Sequence, residues 1–145
     1  MGGSLQTLVC LDRLHCLKQS EFGTSEPYLW TAFFKVDGDT VVLDLADDGR
    51  DGLFLSGQCT FVATAGSHGD LRDRSVAEGD DVPIPAGLGE LRLPLTPIPA
   101  AARTMLPPEF SVPGTVGVVV ALLEENLATD DGAAAGRLAF DRTLE

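Results

Sequence analysis

Ser67, His68 and Asp70 stand within four positions of one another and supply the residue types of a nucleophile, base and orienting acid. Such relays are assembled in space from separate segments, and no Gly-x-Ser-x-Gly elbow presents Ser67, so the cluster reads as a surface loop. Cys10, His15 and Cys16 offer ligands for zinc, but their Cys-x-x-x-x-His-Cys spacing would serve only if the chain folded back on itself. His15 has no second His or Cys at a local metal spacing and reads as a residue at the edge of a core. Asp47-Asp48-Gly49-Arg50-Asp51-Gly52 gathers three acids around two glycines. It lacks the alternating acids and the later Glu of an EF-hand, so a solvated acidic turn is expected.

The 145 residues are enough for a single core, and one domain spanning 1–145 is expected. A hydrophobic fraction of 44% with 22% charged residues fits a folded globule. The formal charge of −12 argues against nucleic acid, because phosphate binding needs clustered Lys and Arg and the ten basic residues are scattered. The same charge repels an anionic membrane unless bound cations reverse it locally. No apolar run reaches the length of a spanning helix, and the start lacks the basic and apolar regions of a signal peptide. Three cysteines without a C-x-x-C spacing fit a reducing compartment, so a cytoplasmic chain with free, buried thiols is expected. On one straight strand Cys10 and Cys16 would lie about 20 Å apart, beyond any disulfide.

The elements that must position these groups are mostly strands. Tyr28 to Val36 is rich in aromatic and branched residues, opens after Pro27 and closes at Asp37-Gly38, a dipeptide that favours a tight hairpin turn. Thr40 to Leu45 reads as the return arm. Leu5 to Leu17 reads as a long strand with a twist or bulge near Asp12 and Arg13; a helix over Leu5 to Lys18 is the alternative. Leu53 to Ala65 reads as a strand bent at Gly57. Leu71 to Gly89 reads as a long irregular connection. Glu90 to Leu95 alternates strictly, and Ala100 to Met105 fits a single helical turn stopped by Pro107-Pro108. Thr115 to Leu123, the most apolar run, fits a fully buried central strand. The sum is an all-β antiparallel β-sandwich of about seven or eight strands with little helix. Its expected core contains Leu29 or Trp30, Phe33 or Phe34, Phe61, Val118, Val120 and Phe140. The closing Leu144-Glu145 has the look of a cloning scar and is left out of the fold reading.

Gly23-x-Ser25-Glu26-Pro27-Tyr28 resembles the first loop of C2 domains, in which a glycine-containing turn and Ser-Asp-Pro-Tyr lead into a strand. In that family the aspartate helps to bind calcium. Glu26 holds its position here, and Ser20 stands where another aspartate ligand is usual. A second likeness follows the apolar run, where Glu124, Asn126, Asp130 and Asp131 form an acidic stretch before Gly136 and, by the resemblance, a further strand through Phe140. The resemblance therefore implies a C2-like sandwich with one acidic end. Calcium would be held there by Glu26, with Ser20 or Glu21, facing Glu124, Asn126, Asp130 and Asp131. Because calcium takes six to eight oxygens, two such loops would have to share the ion.

Two classes of function follow. One is a non-catalytic C2-like module, calcium-dependent, that contacts a protein or a lipid headgroup through its acidic loops. The other is a metal-independent β-sandwich that scaffolds or caps a protein partner. Catalysis is not expected, since no nucleophile, base and oxyanion donor are brought together by the sequence.

Overall fold

The computed structural model describes residues 3–18, 25–46, 52–64, 66, 70–71, 75–124 and 130–144. The first strand, β1, spans Leu5–Cys10, and β2 spans Arg13–His15. The break between them is a change of partner. Leu11 N–H donates to Gly89 O at 2.8 Å and Asp12 O accepts from Ile84 N–H at 2.9 Å, so the chain leaves one ladder and enters another at the expected Asp12–Arg13 irregularity. The long strand β3, Pro27–Val36, is followed by β4, Val41–Leu45. Next come β5, Leu53–Gly57, and β6, Thr60–Ala63, divided where Gly57 takes φ 136° and lies against the Thr40 carbonyl.

The connection expected to be irregular contains β7, Asp81–Pro83, and a single helical turn, α1, Ala86–Gly89. Then follow β8, Glu90–Leu95, β9, Ile98–Pro99, a 3-10 turn at Ala102–Thr104, β10, Ser111–Val112, and β11, Thr115–Glu124. A helix, α2, covers Asp130–Leu144. Strands make up 50% of the described residues against 18% helix, which places the chain with all-β proteins, and the pairing is mostly antiparallel. β11, β3 and β6 form a three-stranded sheet in that order; β1 pairs with β8, β2 with β7, β4 with β5 and β9 with β10.

Two of these assignments correct the sequence reading. The Asp37-Gly38 turn does not close a ribbon between β3 and β4, because β3 lies between β11 and β6 while β4 pairs with β5. The turn is tied to another segment instead: Thr96 N–H donates to the Asp37 carboxylate at 3.0 Å, and Gly38 N–H donates to Thr96 O at 2.9 Å. The second correction is α2, which occupies the stretch expected to hold a last strand. Ala133, Gly136, Arg137, Phe140, Asp141 and Leu144 are its less exposed positions, a spacing of three and four that fits a helix and not a strand.

The chain divides into two compact units. The first comprises Met1–Leu8, Phe34–Phe61 and Arg92–Gly117. Its buried side chains include Val41, Leu43, Leu95 and Ile98, and its β4–β5 ladder runs from Val41 opposite Gly57 to Leu45 opposite Leu53. A fully buried carboxylate, Asp37, accepts from Lys35 Nζ at 2.8 Å and from Asp39 N–H at 3.2 Å. Lys35 also donates to Asp39 at 2.6 Å. Burial alone would push the Asp37 carboxyl upward, but the Lys35 ammonium and the Thr96 and Asp39 N–H groups outweigh it and hold the carboxyl below its ordinary range. A second ion pair joins Arg103 to Asp44, whose carboxyl the guanidinium likewise holds low.

The second unit comprises Val9–Phe33, Val62–Leu91 and Val118–Glu145. Its core is Leu29 with Leu71, Val76, Val82 and Leu88, and Leu14, Cys16 and Ile84 pack against it. Trp30, next along β3 and on the opposite face, meets α2: its ring centre lies 5.9 Å from that of Phe140. Arg137 reaches from α2 to the carbonyls of Thr31 and Thr64 and pairs with Asp141 at 3.0 Å. Thr31 is buried and satisfied, donating to Leu88 O at 2.6 Å and sharing a 2.8 Å hydrogen bond with the Thr64 hydroxyl.

The expected core is half realised. Leu29, Trp30 and Phe33 are buried, while Phe34, Phe61, Val118 and Phe140 are half-buried and Val120 is exposed. β11 is therefore not the fully buried central strand that its composition suggested. Among the described residues it lies at the edge of its sheet, and Val120 and Leu122 are 43% and 55% exposed.

Candidate functional site

The residues first considered for catalysis have structural roles or lie outside the described residues. Ser67 and His68 are outside them. Both oxygens of the Asp70 carboxylate accept from Leu29 N–H, at 3.1 and 3.3 Å, which satisfies the backbone at the core end of β3. His15 is exposed rather than at a core edge, with Nδ1 2.8 Å from Asp81, and Arg13 joins the same carboxylate at 3.3 Å. His15 and then Arg13 hold the Asp81 carboxyl low. Cys10 and Cys59 are exposed and Cys16 half-buried, so the thiols are not the buried set expected.

Of the acidic candidates, Ser20, Glu21 and Asn126 lie outside the described residues. Glu26 and Glu124 are exposed, and Asp130 and Asp131 open α2, with Asp131 exposed. Among the described residues no three His, Cys, Asp or Glu side chains gather as a metal site. Carboxylates in the first turn of a helix have a local electrostatic use, since they complement the positive end of the helix dipole.

The segments flanking the two acidic stretches do converge. Ser25 and Pro27 from one, and Leu122, Leu123 and Glu124 from the other, line a single cleft of about 460 Å³. The start of β3 thus lies with the end of β11, as antiparallel neighbours require. Leu14, Cys16, Leu17 and Val76 make the rest of the lining apolar, and Lys18 adds a positive charge.

The segment 76–80 fixes this geometry. Val76 and Ser25 exchange two backbone hydrogen bonds, of 2.8 and 3.1 Å, which pins the chain as it enters β3. Three and four residues later, Gly79 N–H donates to Cys16 O at 2.8 Å and Cys16 N–H donates to Asp80 O at 3.0 Å, which pins the chain as it leaves β2. The turn closes on itself through Ala77 N–H to the Asp80 carboxylate at 2.9 Å. One short segment therefore holds both ends of the connection that carries the first acidic stretch. Sequence reasoning missed Leu14, Leu17, Lys18 and Val76 as site residues and considered Cys16 only as a zinc ligand. Their signal is weak, since each is an ordinary apolar or solvated residue until the β2–β7 pairing brings them together.

The volume falls within the roughly 300–1,000 Å³ of ligand clefts, and an apolar lining with a few charged groups is their usual make-up. An apolar group with an adjacent charge suits this lining. No helix among the described residues is long and apolar enough to cross a membrane. The chain matches no protein-family model, no curated protein and no solved structure.

Proposed function

We propose that the chain is a non-catalytic binding module, C2-like in architecture as a β-sandwich, that receives an apolar part of a protein partner in the cleft beside β11. The observation that carries this reading is the convergence of Ser25, Pro27 and Leu122 to Glu124 on one apolar cleft, from segments almost a hundred residues apart. A protein partner is favoured over a lipid surface by the net charge of −12, which repels anionic headgroups. Metal-independent binding is the simpler form of the reading, because the cleft lining is mainly apolar.

The test is a titration of the isotopically labelled chain, followed by amide NMR, with an amphipathic peptide of alternating Leu and Lys and separately with phosphatidylcholine vesicles. Shifts centred on Cys16, Leu17, Val76 and Leu123 with the peptide, and lost in Leu123→Asp, are the expected result. Shifts with vesicles alone would replace the protein partner by a lipid. An unresponsive cleft at millimolar peptide and lipid would reject the reading.

Calcium dependence is a second reading, favoured by Glu26 and Glu124 standing on the two segments that border the cleft. If Ser20, Glu21, Glu26, Glu124, Asn126, Asp130 and Asp131 share an ion, calcium at 100 times its dissociation constant stabilises the fold by about 2.7 kcal/mol. The melting temperature then rises by several degrees, and chelator or Glu26→Ala removes the rise. A melting curve unchanged across millimolar calcium leaves the metal-independent form.

A further inference from the structure

The strand β5 breaks the usual rules for an exposed edge. Its sequence Leu53-Phe54-Leu55-Ser56-Gly57 has no Lys, Pro or inward charge to discourage pairing. Leu53, Phe54 and Leu55 are 47%, 39% and 50% exposed, so both faces of the strand present apolar side chains to solvent.

The register shows which backbone groups are unused. Ala46 N–H donates to Gly52 O and Gln58 N–H donates to Thr40 O, so the pairs 46/52 and 40/58 belong to the hydrogen-bonded set of the antiparallel ladder. Counting by twos, Asp44/Phe54 and Val42/Ser56 belong to the same set. Leu45/Leu53 and Leu43/Leu55 are the alternate pairs, whose N–H and C=O groups point away from each other. On the β4 side this is visible directly, since Leu43 O accepts from Ala101 N–H at 2.8 Å on the far side of the strand. On the β5 side, the N–H and C=O of Leu53 and Leu55 point outward, and among the described residues β5 has no strand neighbour except β4.

We propose that the free edge of β5 is a docking site for an extended segment of a protein partner, added as a third strand beside β4 and β5. The outward N–H and C=O groups of Leu53 and Leu55 would each form a closely spaced pair with a residue of that segment, while Leu53, Phe54 and Leu55 contact its side chains. The occupant is cationic. A second copy of this chain would bring a further charge of −12, and the connection that closes the β4–β5 hairpin carries Asp47, Asp48 and Asp51 against Arg50 by sequence. The site lies within the first unit, is separate from the cleft and does not rest on the reading given for it.

The experiment is an NMR and hydrogen-exchange titration of the full chain with an acetylated peptide of four Val-Thr repeats ending in Lys-Lys, and with its Glu-Glu counterpart. The Lys-ended peptide is expected to shift and protect the Leu53 and Leu55 amides, with the Glu-ended one at least tenfold weaker and added salt closing the gap. Leu55→Pro removes one outward N–H without touching the β4 ladder and should weaken binding at least tenfold with the melting curve retained. If that variant does not fold, Leu55→Lys keeps the backbone and should weaken the Lys-ended peptide by a similar factor. Three outcomes overturn the proposal: no response at β5, equal binding by the folded variants, or a dimer of the chain alone that Leu55→Pro dissociates.

Discussion

β3 and β11 are neighbours in one sheet and each has ten residues, yet their burial is opposite to what their compositions suggest. β3 contains Thr31 and Lys35 and is buried without interruption from Tyr28 to Phe33. β11 is entirely aliphatic or small from Val116 to Leu123 and remains half-exposed along its length. The difference is one of neighbours. β3 has a strand on each side, the Leu29 cluster on one face and α2 against Trp30 on the other. β11 has a strand on one side only among the described residues. Apolar content records what a strand tolerates, whereas burial records what the rest of the chain places on it.

The strongest test of this contrast is truncation at matched positions. Phe33→Ala, in a side chain with no exposed surface, should cost about 3–5 kcal/mol in urea unfolding. Leu122→Ala on β11 should stay within about 0.5 kcal/mol. Equal losses would mean that β11 is covered in solution by something this chain does not supply.

The polar end of β3 comes next. Asp37→Ala takes the acceptor from the Thr96 N–H, leaves Lys35 with Asp39 as its remaining carboxylate partner, and should cost about 2–3 kcal/mol at pH 7. The effect has a defined pH window. The folded values of Asp37, Asp39, Asp44 and Asp81 are depressed, so the unfolded chain binds more protons between those values and the ordinary carboxylate value of about 3.9. Their stabilisation is present above that window and is lost as pH falls through it, so Asp37→Ala should flatten the acid limb of the stability curve. Lys35 has the opposite sign. Asp37 and then Asp39 raise its folded value, so its contribution is full below about 10.4 and declines as pH rises through the folded value. Acid and alkaline limbs that are unchanged in the variant would remove the ion pair from the account.

A smaller effect should come from Gly136→Ala. An exposed helical glycine changed to alanine gains about 1 kcal/mol, but here the new Cβ would lie 2.7 Å from Trp30 Cη2. The net change should be a loss of about 1–2 kcal/mol, with altered emission from the single tryptophan. A stabilised variant with unchanged fluorescence would show that α2 does not sit on Trp30. The smallest predicted effect is Val120→Thr, expected within about 0.5 kcal/mol by thermal melting. A loss above about 1 kcal/mol would place that side chain in a covered surface.

The sequence by itself determined where the longer strands form, though not β7, β9 or β10. Alternation in Glu90 to Leu95, the aromatic run of β3, the bend at Gly57 and the break near Asp12 are local matters of sterics and side-chain spacing, legible within a few residues. It also determined that two acidic stretches flank β3 and β11. Only the tertiary structure decided who pairs with whom. The Asp37-Gly38 dipeptide is equally good for a ribbon or for a turn anchored on Thr96, and the choice lies with residues almost sixty positions away. Gly132 and Gly136 argue against a helix until Trp30 is seen to need the space that Gly136 leaves open. The apolar cleft was illegible for the same reason: its lining comes from four separated segments, and local preference carries no information about which distant surfaces will share a boundary.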